Sequence, residues 1–158
     1  MCEEQRAPMT PSSPKDSRVE LATFQVGEAL CGMAIDHIQE INKLSQLTRV
    51  PQAPADVLGI LNLRGQIVTV LDLARRLGLG STEPDSQCRV IIVNSASGKV
   101  GILVHSISDV VSVELREQEP PPANMRGIQG RFFTGVCQRE HNLIGLLDID
   151  KVLSLDDN

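Results

Sequence analysis

From residue 19 onward, short apolar stretches alternate with glycine or polar turns, a pattern that predicts many short strands rather than long helices. Val19–Val26 reads as a strand, Gly27-Glu28 as a turn and Ala29–Ile35 as the returning strand. Asp36, with Gln39 three residues on, has the spacing of a capping box, and Ile38 and Ile41 suit one face of a short helical stretch. Val50-Pro51 to Pro54 reads as an extended connection, because each proline disfavours helix in the residue before it. Val57–Leu63 and Gln66–Leu71 form a hairpin around Leu63-Arg64-Gly65, where Gly65 takes a positive φ without strain. Asp72 caps a short helix, Leu73–Leu77, which Gly78 closes. Beyond the joint Gly78–Ser86 come the strands Cys88–Asn94 and Lys99–His105 about a Ser97-Gly98 turn, then the strand-like Ser108–Val113. Glu114–Gly130, with three consecutive prolines, is a long loop. Phe132–Gln138 and Asn142–Leu147 make a last hairpin, and Asp148 caps a helix through Leu153.

The pattern repeats. At an offset of 76, Gly59 falls on Gly135, Ile67 on Leu143, Val68 on Ile144, Leu71 on Leu147 and Asp72 on Asp148. At an offset of 69, Gly32 falls on Gly101, Met33 on Ile102, Ile35 on Val104, Ile38 on Ile107, Glu40 on Asp109 and Ile41 on Val110. The offsets differ by seven, an extra stretch placed most simply in the proline-rich loop. Two β-rich units of like topology are expected, facing each other across a seam, with a small antiparallel barrel as the architecture of each. We place a disordered tail at 1–18 and one folded domain at 19–155. Within it the first barrel covers roughly 19–80 and the second roughly 86–155, exchange of segments between them being left open.

Composition narrows the function. A unit of roughly 65 residues is marginal alone, so the copies should share a core. At 41% apolar residues, with three Phe and no Trp or Tyr, that core is aliphatic. A net charge of −5 and the scarcity of aromatic platforms argue against nucleic-acid binding. Apolar runs stop near five residues, too short for a membrane span, and the start Met1-Cys2-Glu3-Glu4 does not resemble a signal peptide. Four scattered cysteines suit a reducing cytoplasm. A cytoplasmic location is expected.

Candidate chemistry is thin. No nucleophile elbow, phosphate loop, dinucleotide fingerprint or zinc-protease motif is present. Cys137 and His141 form the one Cys/His proximity, but Leu61 is the repeat mate of Cys137, which marks a core position. No catalytic residue, metal or cofactor is expected. Binding has more to stand on. Arg64 sits at a hairpin tip in Asn62-Leu63-Arg64-Gly65, while its mate in the second copy is Glu140, so the turn itself does not require arginine. Glu40 lies between Ile38 and Ile41, whose mates are Ile107 and Val110. These four aliphatic residues could form an apolar trough with Glu40 at its rim, or serve the core.

Several ordered pieces then resemble a known family. They are Gly32–Ile41, Arg49-Val50-Pro51 with Pro54, Gly59-Ile60-Leu61-Asn62-Leu63-Arg64-Gly65 and Ile67–Leu73. Val100–Val104, Val110 after Ser108-Asp109, Thr134-Gly135 and Leu147–Leu153 follow. Together they resemble the CheW-like coupling proteins of bacterial chemotaxis arrays. The resemblance implies two interlocked five-stranded, SH3-like β-barrels around a common core, with a few short helices. It implies a non-enzymatic cytoplasmic adaptor joining the regulatory domain of a CheA-type histidine kinase to the cytoplasmic tip of methyl-accepting chemoreceptors. By matching position it implies a receptor groove at Ile38, Glu40, Ile41, Ile107 and Val110, and a signalling contact at Arg64 with its neighbours Asn62 and Gly65. The chain departs from the family pattern at Cys31, where an aromatic is usual, and at His105, where an acid is frequent. A rival reading from another class is a small-molecule module using the seam between barrels as its pocket.

Overall fold

The computed structural model describes residues 18–95, 98–120, 132–139 and 142–153. Expectations for the tail before Arg18, most of the proline-rich loop, Ser97, Glu140 and His141 lie outside the described residues. Ten strands and two short helices follow in order. They are β1 (Arg18–Val26), β2 (Ala29–Ala34), β3 (Ile38–Lys43), β4 (Val57–Leu63), β5 (Gln66–Asp72) and α1 (Leu73–Leu77). β6 (Arg89–Ser95), β7 (Gly98–Val104), β8 (Ser106–Glu114), β9 (Phe133–Arg139), β10 (Asn142–Leu147) and α2 (Ile149–Leu153) complete the strands and α-helices of the described residues. The fold is mainly β.

The strands form two five-stranded sheets, ordered β8-β1-β2-β10-β9 and β3-β6-β7-β5-β4. Pairing β1 with β6, β2 with β7 and so on to β5 with β10 carries one order onto the other. The sequence repeat is therefore a structural repeat. The copies as read along the chain, 19–80 and 86–155, are not the sheets. Each sheet combines the first two strands of one copy with the last three of the other: β1 and β2 with β8, β9 and β10, and β6 and β7 with β3, β4 and β5.

Central strands carry near-continuous apolar runs because both of their faces are covered. In β6, Ile91 and Val93 enter a core shared by the two sheets, while Val90 and Ile92 enter the second sheet's own core. In β1, Phe24 and Val26 enter the shared core and Leu21 the first sheet's own core. Each fully buried large side chain of this kind contributes about 1.5–3 kcal/mol. The shared core also takes Leu73 and Leu77 of α1 and Ile149 and Val152 of α2. The seam between the halves is thus filled with side chains.

Each sheet is drawn round its own core by one further bridge. Thr48, beyond β3, exchanges two 2.8 Å hydrogen bonds with Ile60 of β4. Glu119, beyond β8, does the same with Val136 of β9 at 2.8 and 2.7 Å. These bridges tie the continuation of one edge strand to the opposite edge strand. They also explain the repeated glycines: a Cβ on Gly59 would lie 2.5 Å from the Thr48 carbonyl oxygen, and one on Gly135 would lie 2.6 Å from that of Glu119.

Asp72 caps α1 by accepting from Ala74 N at 3.1 Å, and Gly78 ends it in the left-handed conformation. One sequence expectation fails. Residues 36–41 are not helical; a single 3-10 turn, Ile35–His37, leads straight into β3, and Asp36 caps nothing. A bulge between Ile38 and Glu40 shifts the register, but burial along β3 still alternates; a half-buried Glu40 and an exposed Ile41 put the apolar residues three apart, which imitates a helix.

Candidate interaction site

β3 and β8 are edge strands of their sheets, and both carry a bulge at the same place in the repeat. In β3 it lies between Ile38 and Glu40; in β8 it faces Thr23, between the pairs Phe24–Ile107 and Ala22–Val110. The four aliphatic residues expected to line one trough divide into two pairs. Ile38 and Ile107 pack against the shared core. Ile41 and Val110 stand out to solvent, 39% and 62% exposed. The inner pair is thus partly buried against the seam, and the outer pair carries more of the exposed apolar surface.

Glu40 and Arg64, assigned by sequence to different contacts, meet each other. Arg64 Nη2 donates to Glu40 Oε2, and Asn42 Nδ2 donates to Glu40 Oε1 at 3.2 Å. The contact joins β3 to the tip of the β4–β5 hairpin, from one edge of the second sheet to the other, beside the Thr48–Ile60 bridge. The tip is built to present it. Asn62 Oδ1 accepts from Gly65 N at 2.8 Å, and Arg64 and Gly65 take φ of 51° and 87°, the pair of positive angles that a two-residue hairpin favours. The Arg64 guanidinium holds the Glu40 carboxyl below its ordinary value; partial burial opposes this, and the Asn42 amide and the Lys99 charge assist it.

Thiol chemistry has no support in the geometry. Cys137 lies buried with Leu21, Val113, Ile144 and Leu146, in the place that Leu61 takes in the other sheet. Burial raises its pKa and pushes that of Cys31 up to about 12, so both stay protonated at neutral pH. Among the described residues no cluster of three or more His, Cys, Asp or Glu could hold a metal. No helix among them is long and apolar enough to cross a membrane.

Two exposed positions escaped the sequence reading as surface. Ile67 and Leu143, repeat mates at the second positions of β5 and β10, are 61% and 47% exposed. The offset of 76 pairs them, and a repeat that keeps an apolar residue outside in both copies was the available signal.

A family model described as CheW-like domain matches residues 20–157. The chemotaxis protein CheW of Rhizobium meliloti (strain 1021) is 35% identical over 133 residues, covering 84% of this chain and 86% of that protein. The chemotaxis protein CheW of Treponema pallidum (strain Nichols) is 32% identical over 148 residues, covering 91% and 87%. Among solved structures, the scaffolding protein TtCheW from Thermoanaerobacter tengcongensis superposes with a TM-score of 0.81 at 26% identity, covering 99% of this chain and 96% of that one.

Proposed function

The chain belongs to the CheW-like domain family, and from that membership we propose that it is a non-enzymatic cytoplasmic scaffold coupling chemoreceptors to a CheA-type histidine kinase. The observation that carries this reading is near full-length similarity to proteins named for chemotaxis, together with a fold shared with a scaffolding protein. The geometry supports it in kind. The seam, where a small-molecule pocket was the rival, is packed with core side chains, while equivalent apolar residues stand exposed on both sheets.

Mechanism in this reading is mutual positioning. Ile41 and Val110 give apolar contact to the receptor tip, with Glu40 at their margin. The tip residues Asn62, Arg64 and Gly65 give a contact on which kinase control depends. Any partner that takes hold of Arg64 competes with Glu40 for its guanidinium, so engagement and release of the internal pair are linked. Repetition in an array makes modest contacts effective.

The test is receptor-dependent kinase autophosphorylation reconstituted with this protein. Arg64→Glu should fold normally yet lose about tenfold or more of the coupling, and Val110→Asp should reduce co-sedimentation with receptor by a similar factor. Full coupling by both folded variants would remove these residues from the interface. Failure of the wild-type protein to raise kinase activity with any receptor and kinase of its own cell would remove the scaffold reading itself.

A further inference from the structure

The two sheets match strand for strand, so a difference in charge between equivalent places needs a separate account. In the second sheet, Glu40 on the β3 bulge is held by Arg64 and Asn42 and feels the charge of Lys99. The repeat puts Asp109 at the position of Glu40, Val111 at that of Asn42, Leu30 at that of Lys99, and Glu140 in the sequence at that of Arg64. The acid is kept while the mates of Arg64, Asn42 and Lys99 carry neither a cation nor an amide. The Asp109 carbonyl accepts from Thr23 Oγ1 at 2.6 Å, which fixes the backbone, and its carboxylate has no hydrogen bond or ion pair among the described residues.

At this place the first sheet opens a concavity of about 580 Å³. Leu30, Val111 and Leu143 form its apolar side, and its charged groups are Glu28, Asp109 and Arg139. Arg139 is already engaged, its Nη1 donating to Ser112 O at 2.9 Å. The lining thus holds two carboxylates, the amides of Gln25 and Asn142, and one guanidinium with a backbone partner already.

We propose that this concavity is a docking pocket for an arginine side chain of a partner protein, which takes the place that Arg64 fills in the second sheet. An arginine brings an apolar stem for Leu30, Val111 and Leu143 and a planar fork for the Asp109 carboxylate. In the second sheet the guanidinium arrives on a β-turn, so a polypeptide loop is the vehicle for which the repeat itself supplies a precedent. The inference does not depend on which kinase or receptor the scaffold serves.

Nuclear magnetic resonance titration of the full chain tests it, with three probes. These are acetyl-Gly-Arg-Gly-amide, the same peptide with citrulline in place of arginine, and agmatine as a free guanidinium. The arginine peptide should shift the Thr23, Asp109, Val111 and Leu143 signals and leave those around Glu40 in place. Its affinity should fall about tenfold with citrulline, and about tenfold in Asp109→Asn, which removes only an exposed charge. Equal affinity for citrulline, indifference to Asp109→Asn, or shifts scattered over the acidic surface would overturn the pocket. Agmatine binding as tightly as the peptide would make it a site for free cations and overturn the docking assignment.

Discussion

At the scale of single residues, Glu40 and Arg64 lie 24 positions apart, and nothing in their spacing joins them. The sequence showed an acid beside aliphatic residues and an arginine on a turn; only the curl of the second sheet brings them together. Their pairing has a pH signature. A carboxyl whose folded pKa lies below its unfolded value stabilises the fold above that unfolded value. The contribution disappears as the pH falls through the folded one. The Glu40 carboxyl, followed by carbon-13 resonance, should titrate below the ordinary glutamate value near 4.3 and move back up in Arg64→Ala. A midpoint that is the same in both proteins would show that the pair does not form in solution. Cys137 illustrates the opposite case, since its identity alone suggested chemistry and its repeat mate correctly suggested a core residue.

At the scale of elements, the hairpin β4–β5, its twin β9–β10 and the helix capped by Asp72 were legible because alternation, turn residues and cap residues agreed there. β3 was not. Its burial keeps the period of two, but Glu40 lies on the inner face and Ile41 on the outer one, so Ile38 with Ile41 has the spacing of a helical face. The outcome separates two residues that looked alike. Ile38→Asp puts a charge against the shared core and should cost about 2 kcal/mol or more in urea denaturation, whereas Ile41→Asp should stay within about 0.5 kcal/mol. Equal losses would mean that the inward and outward assignment of β3 is wrong. Loss of receptor binding in Ile38→Asp is therefore read only beside its stability, whereas in the proposed reading Ile41→Asp and Val110→Asp test contact with the fold intact.

At the scale of the whole molecule, composition and length indicated two small units leaning on one core, and three cores are present: one within each sheet and one between them. The centre of that arrangement was invisible in the sequence. Arg76 and its repeat mate Val152 meet directly, Arg76 Nε donating to Val152 O at 2.9 Å. Its Nη1 donates to Asp56 Oδ2 at 2.7 Å, and its guanidinium lies 5.4 Å above the ring of Phe132, the mate of Asp56. An arginine with a valine as its mate breaks the repeat pattern, so no offset could reveal it. Arg76→Ala leaves the half-buried Asp56 carboxylate without its partner and should cost about 2 kcal/mol in urea denaturation, with Arg76→Ala and Asp56→Asn together costing less than their sum. Additive losses would mean that the two side chains act independently. The interleaving of strands also governs the order in which the protein can be completed on the ribosome. All five strands of the second sheet have been synthesised by Val104, but β1 and β2, made first, acquire their outer neighbours only when β8 and β10 emerge. A product that stops early therefore carries a finished half and a lone ribbon with its apolar flank bare, which makes premature termination a cause of clumping and not merely of shortening.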